Sequence, residues 1–171
     1  MIDLAATPSS ATVPGRANGH WQPDVTVATV VVRDGRLLMV EEYAGGRRPV
    51  LNQPAGHLEP DESLLDAAVR ETREETGWTV RPTGFLGAWQ WTVPGQGGPD
   101  GRHFLRMAFC AEPLSHDPDL RLDDGIVRAL WMTPAELRQA SGRHRSPLVW
   151  RTAETFLAGR RLPLDVVERL A

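Results

Sequence analysis

The chain has 171 residues, 41% hydrophobic and 24% charged, with a formal net charge of −3 and a pI near 5.9. That length and apolar share suit one globular domain with an adequate core, and the mild acidity argues against a general nucleic-acid binder. A lone cysteine, Cys110, excludes an internal disulfide, and all 19 basic residues are arginine, which excludes lysine-based covalent chemistry and leaves bidentate phosphate contacts open.

Residues 1–22 read as a disordered N-terminal extension and residues 23–171 as a single domain. Met1 to Gly19 is rich in Ala, Thr, Ser, Pro and Gly, and it has neither the basic start nor the apolar stretch of a signal peptide. The apolar run Val25 to Val32 is far too short to span a bilayer and suits a buried strand. No membrane partner is expected, and cytoplasmic residence is the default expectation.

Asp24 to Arg33 and Leu37 to Tyr43 are β-rich runs separated by Arg33-Asp34-Gly35-Arg36, where Asp-Gly is a strong hairpin signal. Gly45 and Gly46 mark a loop before a short strand at Val50 to Gln53, and Pro54-Ala55-Gly56 is expected to break it. A helix is predicted from Glu62 to Thr76, with Gly77 as its C-terminal cap. Gly84 to Val93, Arg102 to Cys110 and Val127 to Met132 read as strands, with glycine and proline stretches between them. Cys110 reads as a buried strand thiol rather than a nucleophile. Thr133-Pro134-Ala135-Glu136 combines an N-cap, a proline at the first helical position and a capping-box glutamate, and a last helix runs from Pro147 to Leu157. Strands and helices in this irregular order predict an α+β fold, a mixed sheet layered with helices.

The most informative segment is Gly56 to Trp78, GHLEPDESLLDAAVRETREETGW. Leu64, Leu65, Ala68, Val69 and Thr72 form the apolar stripe of its helix, while Glu71, Glu74 and Glu75 fall at i, i+3 and i+4 on another face. Like charges at that spacing oppose folding by a few tenths of a kcal/mol per pair, roughly 0.2–0.5. A divalent cation would turn that repulsion into coordination, and clustered hard oxygen donors suit Mg²⁺ or Mn²⁺ with substrate phosphates completing the shell. The competing account is a solvated acidic face with arginines spaced for ion pairs. Gly56, Glu62, Arg70 and Gly77 joining the pattern make that account poor, because such a set of fixed positions arises by chance on the order of once in 10⁸ windows.

These residues resemble the Nudix box: a glycine, five residues, a glutamate, seven residues, then Arg-Glu-x-x-Glu-Glu-x-Gly and an apolar residue. The soft departure is Thr72, where the family usually has an aliphatic side chain. Flanking stretches VTVATVVV, LLMVEEY, LNQPAGHLE, RSPLV and GRRLPL look like the NudJ branch, phosphatases of nucleotides and thiamine-pathway pyrophosphates, over about Val25 to Leu164. The resemblance implies a Nudix α/β/α sandwich and a Mg²⁺-dependent phosphoanhydride hydrolase. Its substrates would be hydroxymethylpyrimidine pyrophosphate, thiamine pyrophosphate and nucleoside di- or triphosphates, with orthophosphate released. It further implies Glu71, Glu74 and Glu75 as metal ligands with the Gly56 carbonyl, Glu71 or Glu74 as the base, Arg70 as a brace on a glutamate, and Glu62 as support for the loop. The alternatives are a nucleoside diphosphate sugar or dinucleoside polyphosphate pyrophosphatase and, in a different class, a non-catalytic nucleotide sensor, which the intact glutamates disfavour.

Beyond the box, Asp123, Asp124, Glu41 and Glu42 are candidates for a further carboxylate, though Asp-Asp-Gly is equally an ordinary turn. Trp89 and Trp91 share a strand face and suit either ring stacking or core packing; Arg102 and Arg106 share a face and suit phosphate contact or a solvated surface. Gln53 precedes the loop and is a candidate substrate donor, and His57, His103 and His144 lack the spacing of a zinc site. The oligomeric state is not set by the sequence.

Overall fold

The computed structural model describes residues 22–93, 95 and 101–170; the extension expected over 1–22 lies outside the described residues except for Gln22. β1 (Asp24–Arg33) and β2 (Arg36–Glu42) form the predicted hairpin, with Val32 opposite Leu37. Its two turn residues both have positive φ, 51° at Asp34 and 72° at Gly35, as such a turn requires. β3 (Val50–Asn52) pairs with β2.

Pro54-Ala55-Gly56 breaks that strand as expected, and beyond the break Ala55–His57 forms a further short strand, β4, antiparallel to β1. Pro54 ends β3, yet its carbonyl accepts from Thr29 N–H and so leads the chain onto β1. α1 (Leu64–Thr76) starts two residues later than predicted, because Ser63 is the N-cap. Its Oγ accepts from Asp66 N–H at 3.1 Å while the Asp66 carboxylate accepts from Ser63 N–H at 3.4 Å. Gly77, at φ 73°, ends the helix and donates its N–H to Arg73 O.

β5 (Trp78–Val93) and β6 (Arg102–His116) both extend beyond their predicted Gly84–Val93 and Arg102–Cys110. Pro82, Gly84, Gly87 and Pro113 all fall within these longer strands, and β5, an edge strand, absorbs them in register shifts at 79/80, 82/84 and 85/87. Pro113 sits past the end of the β1 pairing, where β6 contacts β5 alone. β7 (Ile126–Met132) adds to β2, followed by α2 (Pro134–Gln139), capped by Thr133, and α3 (Pro147–Leu157).

The main strand order is β3-β2-β1-β6-β5, with β4 on β1 and β7 on β2; β1 and β6 run parallel and the other pairs antiparallel. β1 sorts its side chains by parity. Val27 packs with Ala67, Ala68, Phe85 and Phe109 under α1, whereas Ala28 and Val30 pack with Leu86, Ala108, Val149 and Ala153 under α3. The result is the α+β sandwich of the sequence reading, and β4 lies in the sheet between the two layers. Cys110 is buried in β6 as a free thiol. Among the described residues no helix is long and apolar enough to cross a membrane.

Candidate active site

Helical spacing alone places Glu71 and Glu74 on one face of α1, and the chain adds a third carboxylate from 49 residues beyond Glu74. Carboxylate oxygens of Glu71, Glu74 and Asp123 all lie within 4.8 Å of one another. Asp123 is held there by its backbone: its N–H donates to Glu74 O at 3.1 Å, and its carbonyl accepts from Ile126 N–H at 3.1 Å. The turn and the cluster are therefore the same feature. Asp124 is exposed and pairs with Arg121 at 3.1 Å.

Arg70 braces this cluster. Its Nη1 donates to Glu71 Oε1 and to Glu74 Oε2, each at 2.9 Å; Nε and Nη2 donate to Glu62 at 2.9 and 2.7 Å, and Nη2 also reaches His57 O at 3.0 Å. Hydrogen bonds to Glu62 first, then to Glu71 and Glu74, raise the Arg70 pKa, and the same bond holds Glu62 below the ordinary carboxylate value. Glu62 also accepts from Glu59 N–H at 2.7 Å, fixing the loop before the helix.

One arginine does not neutralise the cluster. Burial pushes Glu71 above its ordinary value, with Arg70 opposing and Glu74 and Asp123 adding to the rise. Asp123 is likewise raised, by burial and then by Glu74. Oxygen donors alone, crowded and short of positive charge, fit a hard divalent cation. Glu75 stands apart from these three: buried, it accepts from Ala55 N–H through Oε2 at 2.8 Å, and burial raises its pKa well above the ordinary value. Gly56 lies against the cluster, since a Cβ there would fall 2.1 Å from the Glu71 carboxylate. That contact gives the box glycine its physical reason.

Strand β4 also walls a cleft, lined by Ala55, Gly56 and His57 with Thr26, Asn52, Trp91, Phe104, Arg106, Arg145, Ser146 and Leu148. Trp91 stacks on Phe104 with centroids 5.6 Å apart and planes at 24°. Arg106 is buried, its Nη1 donating to Asn52 Oδ1 at 3.4 Å, and burial followed by repulsion from Arg145 pushes its pKa down to about 10. Arg145 reaches the cleft while paired with Glu42, which also accepts from Asn52 Nδ2 at 3.0 Å.

Other predicted residues fall elsewhere. Trp89 packs against the α3-side core rather than lining the cleft. Arg102 pairs with Asp24 at 2.7 Å and lies over the Phe104 ring at the rim. Gln53 is buried, its Nε2 donating to Val149 O at 2.7 Å, so it ties β3 to α3. Glu41 is taken by Arg128 at 2.7 Å and by Arg143; burial raises its pKa, but these hydrogen bonds outweigh it and hold Glu41 low. Sequence reasoning did not single out Thr26, Asn52, Phe104 and Arg145: three of them lie in the flanking stretches that resemble the family, but the four meet only through the sheet.

A mixed sheet between helices, with a helix-borne carboxylate centre beside a cationic aromatic cleft, defines a hydrolase of small phosphorylated molecules. The NUDIX domain family model matches residues 21–151, and the chain belongs to the Nudix hydrolases. It is 41% identical over 147 residues to phosphatase NudJ of Escherichia coli K12, covering 86% of this chain and 92% of that protein, and the Shigella flexneri phosphatase NudJ matches equally. Among solved structures, a NUDIX hydrolase from Nitrosomonas europaea aligns with a TM-score of 0.82 at 44% identity, covering 87% of this chain and 98% of that one. A MutT NUDIX hydrolase from Burkholderia pseudomallei, at 21% identity and a TM-score of 0.66 over 79% of this chain and 98% of that one, shares the fold. Nudix hydrolases generally use divalent metal ions and act on small-molecule pyrophosphates.

Proposed function

We propose that this enzyme is a Mg²⁺-dependent phosphoanhydride hydrolase, with Mn²⁺ able to substitute, that releases orthophosphate from small pyrophosphates. Its substrates on this reading are hydroxymethylpyrimidine pyrophosphate, thiamine pyrophosphate and nucleoside di- and triphosphates. The observation that carries the proposal is the approach of Glu71, Glu74 and Asp123 within 4.8 Å beside β4, which also borders the aromatic cleft. The 41% identity to a protein described as a phosphatase supports orthophosphate release.

In this reading Glu71, Glu74 and Asp123 hold the cation, and Glu75 and the Gly56 carbonyl complete the donor set. A bound divalent cation supplies neutralisation of the pyrophosphate charge. Glu71 or Glu74 also takes the proton of the attacking water. Arg70 holds both glutamates at 2.9 Å and so fixes the base against its neighbour. Trp91 and Phe104 receive the ring of the substrate, and Arg145 counters its negative charge.

The aromatic wall of Trp91 and Phe104 supports a substrate with a single flat ring. The test is a panel of pyrophosphates incubated with Mg²⁺ in ¹⁸O-labelled water. Labelled orthophosphate supports the proposal; a nucleoside monophosphate with a phosphorylated remainder favours the pyrophosphatase alternative. Binding without turnover across the panel would identify a sensor instead.

A further inference from the structure

The cleft contains two polar groups that the chain leaves without partners. Thr26 is 5% exposed and Arg106 8%; they are neighbours in the β1–β6 register, and both line the cleft. Among the described residues, Thr26 Oγ1 and Arg106 Nε make no hydrogen bond, and no carboxylate forms an ion pair with Arg106 within 4.0 Å. The bond from Arg106 to Asn52, at 3.4 Å, is at the long end of the range.

Buried polar groups are normally paired, so two adjacent orphans lining one cavity call for a partner that arrives from outside. Nearby acceptors are committed: Glu42 takes Asn52 and Arg145, and Glu75 takes Ala55 N–H. What the cleft offers is therefore donors, the guanidinium N–H groups and a hydroxyl, and the missing group is an acceptor. The adjoining wall is flat and aromatic, since Trp91 and Phe104 stack in register across β5 and β6. A flat ring lying against that wall brings its edge to the donors.

We propose that Thr26 and Arg106 read the ring of the substrate, donating to a carbonyl oxygen or ring nitrogen on the edge of a small heterocycle. This rests on the hydrolase reading above and deepens it: the site selects flat heterocyclic pyrophosphates with an acceptor edge over ringless ones. Thr26 and Arg106 are specificity residues and take no part in the proton transfer of that reading.

The test compares Thr26→Val, which removes the hydroxyl and keeps the shape, and Arg106→Gln with the unsubstituted enzyme. With Mg²⁺, kcat/KM is measured for uridine triphosphate and for ringless tripolyphosphate, and uridine monophosphate binding is titrated by tryptophan emission. Expected is a drop of about tenfold in the ratio of the two kcat/KM values in each variant, carried by KM, and weaker binding of the monophosphate by roughly fivefold or more. A Thr26→Val enzyme that melts like the parent and keeps both the ratio and the binding within about twofold overturns the proposal. So does an equal loss on ringed and ringless substrates. Should Arg106→Gln fail to fold, Thr26→Val decides alone. Should the unsubstituted enzyme hydrolyse neither substrate, the hydrolase reading falls, and the monophosphate titration of Thr26→Val still decides the role of the ring floor.

Discussion

The acidic face of α1 and the cleft beside it lie on either side of the same strand, β4, and are built in opposite ways. Two of the three clustered carboxylates come from one turn of one helix, and their common trouble is unrelieved negative charge, which raises Glu71 and Asp123. The cleft gathers side chains from β1, β3, β4, β5, β6 and the start of α3, and its trouble is a buried guanidinium, pushed down to about 10. One region lacks a cation and the other lacks an acceptor. A metal-bound pyrophosphate with a ring attached would supply both, which explains why the chain tolerates two such sites side by side.

The largest effect should come from breaking the acidic side. Glu74→Gln removes a charge from the half-exposed carboxylate held by Arg70 at 2.9 Å while keeping its shape. Turnover should fall roughly 10³-fold with an unchanged circular dichroism spectrum. Near-normal kcat in Glu74→Gln would remove this face of α1 from the chemistry and leave the cleft as a binding site alone.

Gly56→Ala should come next, because its methyl would meet the Glu71 carboxylate at 2.1 Å. The carboxylate, at the end of a flexible side chain, must swing away, so a loss of about 10²-fold in kcat/KM with little change in melting temperature is expected. Kinetics and a thermal melt on one sample check both. A full-activity Gly56→Ala enzyme would mean that the position of Glu71 beside β4 is irrelevant to turnover.

The same contrast explains what the sequence disclosed. Helical period puts Glu71 and Glu74 together without any tertiary information, and Asp34-Gly35 dictates its own hairpin. Asp123 was one of four candidate carboxylates and equally a turn residue, because its approach to Glu74 depends on a backbone bond across 49 residues. Trp89 and Trp91 share strand parity, yet Trp89 turns out to join the core and Trp91 the cleft, a split set by what α3 covers. Pro54-Ala55-Gly56 does break β3, and what the sequence did not show is that Thr29 N–H donates to the Pro54 carbonyl and brings Ala55–His57 onto β1. Local rules reached the charged helix; the cleft waited for the sheet register.

Stability against pH should separate the two regions further. Glu71, Glu75 and Asp123 are raised above ordinary values of 4.5, 4.5 and 3.8, so their contribution to stability is present in acid and is lost as pH rises through the folded values. Glu41 and Glu62 are lowered, so theirs is present above 4.5 and is lost as pH falls below it. The metal-free enzyme should therefore melt highest in mildly acidic buffer, at about pH 5, and lower at pH 8. Mg²⁺ should raise the melting temperature more at pH 8 than at pH 5, with a stabilisation of about 2.7 kcal/mol at a concentration 100-fold above Kd. Equal Mg²⁺ shifts at both pH values would show that the ion does not act on the raised carboxylates.

The smallest effects should come from the two tryptophans, and they should differ in kind. Trp91→Ala removes a stacked ring from the cleft wall and should raise KM for a ringed substrate by about tenfold or less, since stacking on one aromatic contributes roughly 0.5–1.5 kcal/mol. Trp89→Ala removes a ring packed on the core beneath α3 and should lower the melting temperature while KM moves little. Steady-state kinetics and a melt on each variant make a crossed comparison. If Trp89→Ala raises KM and Trp91→Ala lowers the melting temperature, the aromatic wall has been assigned to the wrong tryptophan, and the single-ring substrate it favours would have to be argued again from Arg106 alone.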